Sequence, residues 1–184
     1  MFETADALLD LSQRLRPLAA QAGRDLGSAL PRLRPPGALP EKEFLERCQC
    51  SGKCVSVCPV SAIRIDNSRD PMKSGRPYIR PMEQACVLCD DLSCMKSCPS
   101  GALELVPREQ ISMGIAGVDA LLCRRTMGDD CRLCIEKCPL GERAIILAAS
   151  GQVEVKTSGC TGCGVCEMYC PTAPRAIVVL PLRS

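Results

Sequence analysis

The 184-residue chain carries two Phe, two Tyr, no Trp and no His, yet sixteen Cys. That length admits one or two domains, but so little aromatic mass argues against a large conventional core, and the missing histidine excludes Rieske-type ligation and imidazole acid–base or triad chemistry. A formal charge of +2 and the shortage of stacking aromatics give no footing for nucleic-acid binding.

In chain order, residues 1–30 read as an amphipathic helix, with Leu8, Leu11, Leu15, Leu18, Ala22 and Ala29 recurring at three- and four-residue steps and Pro17 kinking or dividing it. Glu3, Asp10, Arg14 and Arg24 interrupt the apolar positions, so this is no membrane span, and the basic start and apolar run of a signal peptide are missing. Its apolar face packs either on its own domain or on a partner subunit. Residues 31–40, with Pro35-Pro36-Gly37, read as an extended linker.

Four cysteine quartets follow: Cys48, Cys50, Cys54, Cys58; Cys86, Cys89, Cys94, Cys98; Cys123, Cys131, Cys134, Cys138; and Cys160, Cys163, Cys166, Cys170. Each ends in Cys-Pro, at Pro59, Pro99, Pro139 and Pro171. The last quartet, C-T-G-C-G-V-C-E-M-Y-C-P over residues 160–171, has the spacing that wraps a loop round one 4Fe-4S cluster and sends the fourth thiolate to a neighbouring cluster. Gly162 and Gly164 supply the positive φ that lets backbone N–H groups curl towards the sulfurs. Beyond each Cys-Pro comes a short turn and then Ala62-Ile63, Ala102-Leu103, Ala144-Ile145 or Ala176-Ile177, with the terminal cysteines 40, 40 and 32 residues apart. This is one unit of cluster loop, turn and strand used four times, with strands such as Ile63–Ile65, Val153–Val155 and residues 177–180 pairing into small sheets. Residues 66–76, which include Arg69, Lys73 and Arg76, read as a solvated loop, and residues 113–123 as a helical insertion. Met72, Met82, Met95, Met127 and Met168 are expected to fill gaps beside the clusters.

The cysteines divide into quartets with none left over, which predicts four 4Fe-4S clusters and assigns all sixteen as ligands. A disulfide scaffold belongs to short secreted chains, and zinc sites draw two cysteine pairs from well-separated stretches, whereas each quartet here spans 11 to 16 residues. Sixteen thiolates and four oxidised cores would bring the formal +2 to about −6. The clusters would supply much of the core. The expected fold is α+β: two bacterial-ferredoxin-like dicluster modules with short β-hairpins and small helices, preceded by an N-terminal helix. Residues 1–40 form the helix and linker, and residues 41–184 the four-cluster domain. Nothing in the chain looks like a small-molecule site, and no residue is assigned a catalytic role. The spacing leaves open which quartets pair.

These residues resemble the NapG/MauM ferredoxin-type proteins, four-cluster electron carriers associated with periplasmic nitrate reduction and methylamine oxidation. The resemblance runs over residues 32–182: the Arg32-Leu33-Arg34-Pro35-Pro36-Gly37-Ala38 lead-in, the C-x2-C-x4-C-x3-C-P second quartet, C-P-S-G-A-L from Cys98, the seven-residue gap between Cys123 and Cys131, C-T-G-C-G from Cys160, and the closing Ala176-Ile177 to Leu182. Two departures accompany it. Members of the family begin with a twin-arginine export signal that residues 1–30 do not show, so the expected location is the cytoplasm, the periplasm applying if an export signal lies upstream or was trimmed. The family pattern also places the middle cysteine of the first quartet at Ser51, where this chain offers Cys50 instead; Cys50 is assigned as the ligand. Related four-cluster subunits imply pairing of the first quartet with the fourth and the second with the third. Cys48, Cys50 and Cys54 would then share a cluster with Cys170, Cys160, Cys163 and Cys166 with Cys58, Cys86, Cys89 and Cys94 with Cys138, and Cys123, Cys131 and Cys134 with Cys98. The modules would join residues 41–66 to 150–184 and stand apart from 78–149. The implied function is one-electron transfer between redox proteins, either a membrane-bound ferredoxin or cytochrome or a soluble oxidoreductase subunit; the alternative is a cluster-bearing maturation factor for a partner redox enzyme.

Overall fold

Each quartet folds locally in the same way, because its third cysteine opens a single helical turn. The computed structural model describes residues 32–182, so the expected helix over residues 1–30 lies outside the described residues. After α1 (Glu41–Arg47) come α2 (Lys53–Ser56) with Cys54, α3 (Ser93–Lys96) with Cys94, α4 (Leu133–Glu136) with Cys134 and α5 (Val165–Tyr169) with Cys166. A left-handed residue turns the chain into three of these helices: Gly52, Leu92 and Gly164, with φ of 70°, 48° and 86°. Gly164 must be glycine for a second reason, since a Cβ there would lie 2.5 Å from Pro81 Cβ. One-turn helices have no stability of their own. They persist because α2 packs on α3 and α4 on α5.

The strands form three antiparallel pairs among the described residues: β1 (Ile63–Ile65) with β2 (Pro77–Ile79), β3 (Gly114–Val118) with β6 (Ile177–Pro181), and β4 (Ile145–Leu147) with β5 (Val153–Val155). The repeated Ala plus Ile or Leu pairs are buried in all four units. Mixed small helices and two-stranded sheets, with no barrel, agree with a ferredoxin-like α+β domain.

Three expectations are corrected. Residues 113–123 are not a helix: β3 occupies Gly114–Val118 in register with β6, Gly114 opposite Pro181 and Val118 opposite Ile177. Glycines at 114 and 117 weaken a helix, and a Cβ on Gly114 would sit 2.5 Å from Leu180 O, so the close strand approach needs the bare backbone. The proline-rich segment is not a linker either. Leu33 bridges to Ile79 and Ala38 to Leu103, Pro35 and Pro36 are fully buried, and Arg34, 6% exposed, grips Glu41 through two hydrogen bonds while stacking over Phe44. Finally, Met95 is buried and Met168 packs on the first core, but Met72, Met82 and Met127 are exposed and fill no gap.

Two apolar cores result. The first runs from Leu33 to Met113 and takes in Cys163 and Val165 from late in the chain; the second gathers Ala116, Ile145, Cys166, Cys170, Ala176 and Ile177. No helix among the described residues is long and apolar enough to cross a membrane.

Candidate iron-sulfur cluster sites

The sixteen thiols line four cavities, four to each. Cavity A is walled by Cys48, Cys50, Cys54 and Cys98, and cavity B by Cys58, Cys86, Cys89 and Cys94. Cavity C is walled by Cys138, Cys160, Cys163 and Cys166, and cavity D by Cys123, Cys131, Cys134 and Cys170. Each encloses about 320 to 370 Å³ of space partly open to solvent.

In every cavity three cysteines come from one quartet and the fourth from another, as the motif requires. The partner quartets are not those the resemblance implies. The first pairs with the second and the third with the fourth, so Cys98, not Cys170, completes the set of Cys48, Cys50 and Cys54, and Cys58 joins Cys86, Cys89 and Cys94 rather than the last quartet. Likewise Cys138 joins Cys160, Cys163 and Cys166, while Cys170 joins Cys123, Cys131 and Cys134. The cause is the hairpin of β1 and β2, which returns the chain so that α2 meets α3; α4 and α5 meet in the same way.

Cys50 reaches cavity A through a left-handed backbone, φ 52°, where most residues pay strain. This is how the loop accommodates a cysteine one position early.

The cavities follow one another in space. Cys94 of B senses the charge of Cys54 of A, Cys86 of B faces Cys163 of C, and Cys166 of C senses Cys134 of D. Between B and C a backbone hydrogen bond joins Cys86 N–H to Cys163 O at 3.1 Å.

Burial pushes the Cys54, Cys94, Cys134 and Cys163 thiols up to about 11 and Cys86 to about 12, with neighbouring thiols adding to the shift; Cys166 moves the same way. A buried thiolate needs a compensating cation, which ligated iron supplies. Two fourth-position cysteines behave oppositely. Burial raises Cys98, but the Leu103 N–H and the Ser100 hydroxyl outweigh it and the thiol is lowered. Burial likewise raises Cys170, and the Thr172 hydroxyl, 3.2 Å away, leads the groups that bring it below its ordinary value. Thr172 Oγ1 also accepts the Ala176 N–H at 2.7 Å, which leaves its own proton for the sulfur. Cys58 Sγ accepts the Ala62 N–H at 3.3 Å.

This donor set fits cubane clusters. A tetrahedral zinc site needs thiolates about 2.3 Å from one ion, and among the described residues no three Cys, Asp or Glu side chains converge on a single-ion point. The spread of four thiols around each cavity suits the larger cluster.

Sequence reasoning missed several polar groups here. Ser100 and Thr172 were legible as the residue following each of two Cys-Pro pairs. Arg76, which holds Leu45 O and precedes Pro77 of the cavity A wall, and Glu167, buried next to Cys166 in the chain, carry no signal in the spacing.

Four-thiol cavities on a ferredoxin-like scaffold define an iron-sulfur protein of the ferredoxin type. A family model described as a 4Fe-4S dicluster domain matches residues 47–102, which hold the first two quartets. The chain is 36% identical to the methylamine utilization ferredoxin-type protein MauM of Methylobacillus flagellatus, the match covering 88% of this chain and 77% of that protein. It is 38% identical to MauM of Methylophilus methylotrophus, over 81% of this chain and 70% of the relative, and 36% identical to the ferredoxin-type protein NapG of Escherichia coli, over 82% and 71%. The chain belongs to the MauM and NapG family of ferredoxin-type proteins.

Proposed function

We propose that the chain is an electron carrier with four 4Fe-4S clusters held in the order A, B, C, D, passing single electrons between a donor and an acceptor redox protein. The observation that supports this most directly is that all sixteen cysteines are used, four to a cavity, in four cavities each adjacent to the next. Bound clusters would supply reversible one-electron chemistry. The chain's own part is to fix spacing and surroundings: α2 against α3 and α4 against α5 hold each close pair, the Cys86 N–H to Cys163 O bond joins the pairs, the Ala62 N–H donates to Cys58 Sγ, and N–H and hydroxyl groups stabilise thiolates at Cys98 and Cys170. On this reading the two dicluster modules are roughly residues 32–113 and 114–182, in sequence order.

An oxygen-free affinity purification from native cells tests the proposal, with iron counted on the sample and co-purifying redox proteins identified. About sixteen irons per chain are expected, together with clusters that are reduced and reoxidised during steady-state turnover of the partner. Near-stoichiometric zinc instead of iron would overturn the cofactor assignment. Full partner activity after the chain is removed from finished enzyme would favour a maturation role over a carrier.

A further inference from the structure

The loop over residues 66–76, expected to be merely solvated, is tied at its neck and pressed against cavity A. Asp66 N–H donates to Arg76 O at 2.9 Å, Gly75 N–H donates to Asp66 O at 2.8 Å, and Asp66, 2% exposed, is held by Arg32. A Cβ placed on Gly75 would stand 3.2 Å from Cys50 Sγ, and Pro77 lines the cavity itself.

Arg76 lies between those two residues. Its Nη2 donates to Leu45 O on α1 at 2.8 Å and its Nη1 to Pro71 O at 3.4 Å, but its Nε is buried and has no hydrogen-bond partner. No carboxylate pairs with it among the described residues, although most of the other arginines there have one. A half-buried guanidinium without a counter-charge is unfavourable, and a buried unpaired N–H calls for a partner. Four thiolates closing on one cluster leave a net negative site, which supplies the counter-charge.

We propose that Arg76 is a positioning residue for the cluster at cavity A, where its fixed positive charge, set between Gly75 and Pro77, raises that cluster's reduction potential. This rests on the four-cluster reading above. Adding one electron makes the four-thiolate site more negative by one unit, and a neighbouring cation stabilises the reduced form more than the oxidised one.

The experiment is an EPR-monitored redox titration of the anaerobically purified full-length protein, with iron counted first. In Arg76→Gln one of the four midpoints should fall by about 59 mV, roughly a tenfold change in a one-electron equilibrium, while the others hold. Arg76→Lys, which keeps the charge, should restore most of the shift. Arg76→His makes the charge titratable in a chain that otherwise has no histidine, so one midpoint should become pH-dependent near the imidazole value of about 6.5, falling as the ring neutralises. An iron-loaded Arg76→Gln with four unmoved midpoints overturns the proposal, as does an Arg76→Lys shift as large as that of Arg76→Gln. Should Arg76→Gln fail to load, a pH-independent midpoint in Arg76→His overturns it. Wild-type protein without reducible clusters would instead sink the four-cluster reading.

Discussion

Glu167 shows how much a single buried group behind a cavity can matter. It sits on α5 next to Cys166, its Oε2 accepts the Val179 N–H at 2.7 Å, and burial lifts its carboxyl from 4.5 to about 7 against the opposing pull of that N–H and of Arg175. The folded state therefore binds the proton more tightly than the unfolded chain. Stability is lost as pH climbs from about 4.5 to about 7, and the deficit, on the order of 3 kcal/mol, persists above that range. Glu167→Gln keeps an oxygen for Val179 and removes the charge. Its cluster-loaded form should melt above wild type at pH 8, by a margin that narrows towards pH 5.5 in anaerobic thermal scans; a gap that ignores pH would sink the argument. At this scale the three cysteines that each quartet gives to its own cavity could be read from their spacing, which is a local property of the chain. The burial of Glu167 could not, since the strand that covers it lies ten residues further on.

Among the elements, α1 carries the largest share of the first core's aromatic packing through Phe44, which is completely buried, stacks under Arg34 and lines cavity A. Phe44→Ala should lower stability by about 3 to 5 kcal/mol and release about four irons, those of one cluster; denaturant unfolding and iron assay on the same preparation check both, and full iron retention would contradict the assigned place of α1. The hairpin strands and buried Ala plus Ile or Leu pairs could be read from the repeat. Two elements could not. The segment from Leu33 to Ala38 looks like a linker by composition because prolines favour extended chain anywhere, and only Arg34 meeting Glu41 and Leu33 meeting Ile79 turn it into core. Residues 113–123 read locally as a helix because a five-residue strand whose partner begins about sixty residues later leaves no local pattern.

For the whole molecule, the cysteines are part of both cores, so iron and fold should be lost together. Anaerobic chelation at neutral pH is expected to abolish far-UV and visible circular dichroism in parallel; retention of the far-UV spectrum after the visible bands vanish would show a core that stands without metal. The pairing of quartets was the least legible feature. Identical spacings serve either arrangement, and only the return of the chain through β1 and β2 selects the sequential one. The intrusion of Cys163 and Val165 into the first core has a consequence for biosynthesis. A ribosome delivers residues 33–113 well before these two side chains. That segment therefore leaves the exit tunnel with an unsealed face, and its last apolar contacts wait until residues 163–165 have emerged. Cofactor delivery to that segment and synthesis of the fourth quartet are thereby linked in time.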